Sequence, residues 1–450
     1  NTIIVVLTFS LSLFFWGMMS SCAPGGSASA QQNNGQPRGK QPKGGPRNQG
    51  EKGGPRETRQ EPGVFTDALP AGRILLGRPT DGSITASILP DQNMEAFIEY
   101  GKTHGEYTSR TETADTREND PAVILISNLD ADTGYYYRLR YRAPGASDFA
   151  AGDEFSFHTQ RRQGNPFTFD IQADSHLGDP RADYELYKTT LRNILADKPD
   201  FLIDLGDTFM SDKFAANYED VVKYHVQQRD FFGLIGNSIP LFLVIGNHEG
   251  EAGYTLNGQP DNLAVWATKA RKLYYPNPEP DSFYTGNSAT ENFTGLPQNY
   301  YAWQWGGALF VVIDPFRYTT IKPKQSDDNW DWSLGREQYD WFKKTLEESN
   351  AKFKFVFAHN LAGGVDTNGR GGIEGAEYYE WGGKNSDGSQ GFDDKRAGWG
   401  EPIHRIMAKN HVTIFFHGHD HLFVKQELDG VIYQLVPQPC VREYRAGNHA

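Results

Sequence analysis

The 450 residues comprise 44 Lys+Arg, 57 Asp+Glu, 12 His and only 2 Cys, with 38% hydrophobic and 13% aromatic content. That length exceeds one ordinary domain and the apolar content supports a sizeable core, so wholesale disorder is excluded. The formal charge of −13 lacks the basic footprint of a nucleic-acid binder, and two cysteines exclude a disulfide-stapled mini-fold or a thiolate zinc array.

The charge is unevenly placed. Residues 1–63 hold seven Lys/Arg against three Asp/Glu, so the remaining 37 basic and 54 acidic residues carry a net −17. Ile3 to Met19 contains no charge and is apolar apart from Thr8, Ser10, Ser12 and Gly17. It runs into Met19-Ser20-Ser21-Cys22, and residues 1–22 resemble a bacterial lipoprotein signal, which implies lipidation of Cys22 and a membrane anchor. An uncleaved anchor or a plain secretory signal are the alternatives. All three place the protein outside the cytoplasm, at the bacterial cell envelope or secreted. Residues 23–63 are mostly Gly, Pro, Gln, Asn, Ser, Lys and Arg without apolar periodicity, the composition of a disordered linker.

From residue 64 to 160 the sequence reads as short strands between turns: Ile84–Ile88, Ala96–Tyr100, a buried run Val123–Ile126, and Phe155–Thr159. In Tyr135–Arg142, Tyr135, Tyr137, Leu139 and Tyr141 share one face, with Tyr136, Arg138, Arg140 and Arg142 opposite. This spacing predicts a β-sandwich. Leu129, Thr133 and Tyr135 resemble the tyrosine corner of fibronectin type III-like domains.

Residues 165–450 form a second unit in which apolar strands alternate with amphipathic helices, predicting an α/β domain. Expected strands are Phe167–Ala173, Phe201–Leu205, Leu241–Ile245, Leu309–Ile313, Phe353–Ala358 and Val412–Phe416; helices fall near 182–196, 217–232 and 336–348. The chain starts at Asn1 and stops at Ala450 with no terminal element, which reads as a sequence cut at both ends.

Five of these strands run into polar groups: Asp174-Ser-His176, Gly206-Asp207, Gly246-Asn247-His248-Glu249, His359, and Gly418-His419-Asp420-His421. Strand ends are where α/β sheets gather their sites. Imidazole and carboxylate without thiolate suit divalent Mn, Zn, Fe, Co or Ni, and there are donors enough for two ions. Asp207 can bridge: one ion takes Asp174, His176, Asp207 and one terminal His, the other Asp207, Asn247, His359 and the other terminal His. Such a pair supplies hydroxide for in-line attack on phosphorus.

The five ordered blocks resemble the calcineurin-like metallophosphoesterase superfamily. The resemblance implies two facing sheets flanked by helices (αββα), His421 on the first metal and His419 on the second. It also implies that His248 contacts phosphate and protonates the leaving oxygen. The β domain is similar to that of purple acid phosphatases, but their D-x-G and G-D-x-x-Y blocks are altered: His176 stands in the first, and Met210 replaces the iron-binding Tyr. A divalent pair without a tyrosinate is therefore expected.

The implied reaction is hydrolysis of small phosphate esters, with phosphomonoesters favoured. The alternatives are a phosphodiesterase acting on nucleotides or phospholipid headgroups, and a non-catalytic surface-binding protein with a structural metal. Asp212, Glu249 and Asp420 are candidates for orienting the imidazoles. Two long segments, Glu249–Gln298 and Gly363–Glu401, are read as loops around the substrate, with Arg271 and Arg370 as candidate phosphate clamps.

Overall fold

The computed structural model describes residues 73–442. The signal-like segment with Cys22, the 23–63 linker, and residues 64–72 and 443–450 lie outside the described residues. Among the described residues, no helix is long and apolar enough to cross a membrane.

Two antiparallel sheets form the first part. Arg73–Gly77, Ser83–Leu89 and Ala122–Ser127 make a three-stranded sheet. The second sheet orders Ser109–Arg110, Met94–Gly101, Gly134–Arg142 and Ala150–His158, with Ala114–Thr116 also pairing on Met94–Gly101. Alternation decides which side chains enter the space between them. Tyr135, Tyr137 and Leu139 are buried with Ile74, Leu76, Ile84, Ile88 and Ile98, while Arg138 and Arg140 pair outside with Glu99. The Tyr135 hydroxyl accepts from Asp130 N at 2.8 Å, closing a tyrosine corner. The Val123–Ile126 run departs from the sequence reading: Ile124 and Ile126 are buried, but Val123 and Leu125 are 63% and 57% exposed. Ile124 and Ile126 face the sandwich core, whereas the outer face is bare at this strand and covered only at Arg73–Gly77, where Leu75 is buried with Phe232 and Ile235.

Residues beyond Asn165 build four layers. A parallel three-stranded sheet (Phe169–Gln172, Phe201–Asp204, Leu241–Leu243) faces a seven-stranded mixed sheet. The latter's central strands Ala308–Val312, Phe353–Phe357, Ile414–His417 and Val431–Leu435 are parallel. Aromatic side chains fill the gap: Phe242 stacks on Trp303 at 4.0 Å, and Phe169, Phe310, Phe357 and Phe416 surround them. The outer face of the large sheet is covered by helices Arg336–Glu348 and Ile403–Lys409. Helices Tyr184–Asp197 and Tyr218–Phe232 cover the small sheet, their starts fixed by Asp183 and Asn217, whose side chains accept from backbone N–H groups.

The β-sandwich is fastened to this unit by buried polar contacts. Arg229, fully buried, donates to Ser87 Oγ and to the carbonyls of Ser87 and Tyr274. Leu76 N donates to Gly236 O at 2.7 Å, and the Tyr137 hydroxyl to Asn237 O at 2.6 Å.

Candidate active site

The five polar strand ends converge at one edge of the facing sheets. Sharp turns are needed there, and Asp174, His176, Asp207, His419 and His421 all adopt left-handed backbone, with φ of 61°, 44°, 54°, 75° and 62°. Such conformations are uncommon for residues with a Cβ and persist where surrounding structure over-determines them. Close approach adds to the constraint. A Cβ on Gly206, itself at φ +94°, would stand 2.4 Å from Gly246 N, and one on Gly418 2.5 Å from Asp174 Oδ2.

Glu249 ties two of these loops together. Its buried carboxylate accepts from Gly246 N (2.6 Å) and Asp207 N (2.9 Å) through Oε2, and from Thr208 N (2.7 Å) through Oε1. Burial, with the nearby Asp207 charge, pushes this carboxyl up to about 7. Asp207 Oδ1 accepts from His248 N at 2.8 Å, and Asp174 Oδ2 from His419 N at 2.9 Å, so both carboxylates also order the backbone.

Two groups of donors share this space. Asp174 Oδ1 lies 3.5 Å from His176 Nε2 and 3.3 Å from His421 Nε2. Asp207 Oδ2 lies 3.3 Å from His176 Nε2 on one side and 3.1 Å from His359 Nε2 on the other. The ring orientations are fixed from behind. His359 Nδ1 bonds Leu205 O at 2.9 Å and His419 Nε2 bonds Asn368 O at 2.9 Å, which turns His359 Nε2 and His419 Nδ1 toward each other at 3.2 Å. Gln438 stands 3.1 Å from His176 Nδ1. Carbonyls behind an imidazole select its tautomer and its aim.

Burial opposes charge on these groups, and they compensate one another. Burial would raise Asp174 and Asp207, but the facing histidines outweigh it and hold both below the usual carboxylate range. Burial would lower His176 and His359; the two carboxylates instead push them up to about 9 and about 10.

The residues fit divalent cations. Asp174 Oδ1 and Asn247 Oδ1 are buried without a hydrogen-bond partner, and paired ring nitrogens point at one another beside a carboxylate oxygen. Donor atoms of Asp174, His176 and His421 lie within 4.8 Å of one another, as do those of Asp207, His359 and His419, and of His176, Asp207 and His248. Asp207 thus belongs to donor groups on both sides.

His248 sits at the mouth, its Nδ1 2.6 Å from Asp212 Oδ1 and its Nε2 3.8 Å from Asp207 Oδ2. His417 is buried in its strand, stacked on Phe415 and pushed down to about 4 by burial. Arg271 is no phosphate clamp: it is buried on Glu251, with its other donors on the carbonyls of Pro297 and Gln298. Arg370 lies beside the site, paired with Asp420 and 3.4 Å from His419 O. The contributions of Asn368 and Leu205 are made by backbone carbonyls, which no side-chain motif reports.

Residues 167–423 match the calcineurin-like phosphoesterase family, and the chain belongs to that family. It is a metal-dependent phosphoesterase. The solved structure of PhoD is similar over 84% of this chain and 79% of its own, with a TM-score of 0.59 at 14% identity. That of purple acid phosphatase PPD1 from yellow lupin (Lupinus luteus) seeds is similar over 82% of this chain and 65% of its own, with a TM-score of 0.54 at 16% identity. At such identities the likeness is one of fold. No curated protein matches the sequence.

Proposed function

We propose that this protein hydrolyses phosphomonoesters at a pair of divalent cations. The observation that carries the reading is the position of Asp207, whose Oδ2 lies within 3.3 Å of His176 Nε2 and 3.1 Å of His359 Nε2. Asp174, His176, Asp207 and His421 would hold one ion; Asp207, Asn247, His359 and His419 would hold the other. This oxygen and nitrogen set suits Mn, Zn, Fe, Co or Ni. When bound, the ions supply Lewis-acid polarisation and an activated water.

The remaining work falls to the chain. Asp212 takes the Nδ1 side of His248 and aims Nε2 into the cleft, so His248 can contact the phosphoryl oxygens and give a proton to the departing oxygen. Glu249 and the left-handed turns hold the ligands in place before substrate arrives. The monoester preference is supported by the likeness of fold to a purple acid phosphatase. Export with a lipid on Cys22 is also proposed, from Ile3–Cys22; loss of lipid labelling in Cys22→Ser checks it.

The test compares phenyl phosphate with its diphenyl diester, with Mn²⁺ or Zn²⁺ supplied and then chelated. Metal-dependent turnover favouring the monoester is expected. Turnover confined to the diester would overturn the monoester assignment, and turnover indifferent to chelation would overturn the metal centre.

A further inference from the structure

Beyond His248 the chain makes a short 3₁₀ turn, Gly253–Thr255, pressed against the segment that follows the strand Ala308–Val312. Gly253 N donates to Phe316 O at 3.0 Å, and a Cβ on Gly253 would meet Arg317 O at 2.3 Å. That close contact sets Tyr254 beside Lys322: the ring is half-buried against the core cluster containing Phe316 and Trp332, and the Lys322 ammonium lies 5.3 Å from the ring centroid. Among the described residues the Tyr254 hydroxyl has no hydrogen-bond partner and Lys322 has no carboxylate within ion-pair distance. In a chain with 57 acidic and 44 basic residues, a half-buried lysine left unpaired beside an acidic site is a feature to account for. Burial, then the charges of Asp212 and Asp207, push the Tyr254 phenol up to about 12, so it remains a donor at neutral pH and feels the two carboxylates nearest His248.

We propose that Tyr254 and Lys322 form a subsite for the departing alcohol of the ester, selective for alcohols that carry a further negative charge such as a carboxylate or second phosphate. The inference rests on the phosphomonoesterase reading, in which His248 faces the departing oxygen. Tyr254 packs on the cluster of Phe316, whose ring lies 6.0 Å from that of His359, so the pair brings one neutral donor and one cation next to the site, while the Asp212 carboxylate is engaged by His248. An anionic substituent there would gain a charge-assisted contact that a plain aryl group lacks.

The test uses the metal-loaded enzyme with phenyl phosphate and 4-carboxyphenyl phosphate. In Lys322→Met, kcat/KM for the carboxylated ester is expected to fall about tenfold, chiefly through KM, one pairing's worth of affinity. Phenyl phosphate should change by less than about twofold, and Tyr254→Phe should give about a threefold loss with the same bias. Equal losses on both esters, or none on either, would overturn the subsite. Lys322→Glu adds a check, since it should reverse the preference. Wild-type enzyme that turned over neither monoester would overturn the phosphomonoesterase reading and the subsite with it.

Discussion

The β-sandwich and the strand-end loops of the phosphoesterase domain are built under opposite rules. In the sandwich, inward positions are apolar, arginines pair with Glu95 and Glu99 on the outside, and left-handed turns fall on Arg78, Asn119, Asn128 and Asp132. At the site the left-handed residues are ligand candidates, among them three histidines. Among the described residues, every buried side-chain N or O without a partner lies at Asp170 or beyond, none in the sandwich. One region satisfies its polar groups internally, and the other leaves donors open for ligands. At Asp174 the two features coincide, a left-handed backbone and a buried oxygen left open.

This contrast can be broken at its strongest point first. Asp207→Asn removes the shared charge, and turnover of phenyl phosphate should drop by about 10⁴-fold or more together with bound metal. Full activity would mean that Asp207 is not shared between ions. His248→Ala should keep metal content and lose about 10³-fold in kcat, the scale of a general acid. Metal loss in that variant would instead make His248 a ligand.

The sandwich side is tested through stability. Arg229→Met leaves the carbonyls of Ser87 and Tyr274 without their donor, and denaturant unfolding should show a loss of about 3 kcal/mol. Activity per folded molecule should be unchanged; a fall would tie the sandwich to the site.

A smaller effect is expected at Asp170, on the strand Phe169–Gln172 that leads to Asp174. Burial, with Asp197 nearby, pushes its carboxyl up to about 7 from an ordinary 3.8. A raised acid contributes stability that is complete below about pH 4 and lost as pH rises through about 7. The advantage of Asp170→Asn over wild type should thus grow between pH 5 and pH 8, by on the order of 2 kcal/mol. Melting temperatures across that range would check it; parallel curves would remove Asp170 from the account.

Much of this site was legible because its chemistry is written in side chains that end buried strands. Asp174, His176, Asp207, His359, His419 and His421 each follow an apolar run, and the glycines beside them permit the contacts between loops. The helix Leu263–Tyr274 was not anticipated within Glu249–Gln298. Its buried stripe includes Thr268 and Arg271, polar residues satisfied by Glu251, which broke the apolar period. The same pairing explains why Arg271 read as an available cation. Val123 and Leu125 misled for a different reason: four apolar residues in a row do not tell whether the outer face of the sheet will be covered by another element.

The central claim is that Asp207 stands between two divalent ions. Elemental analysis of purified protein saturated with Mn²⁺ or Zn²⁺ and freed of excess metal tests it most directly. Two ions per wild-type chain, with site occupancy lost in Asp207→Asn, is the predicted result. A single ion, or two that survive that substitution, would contradict it.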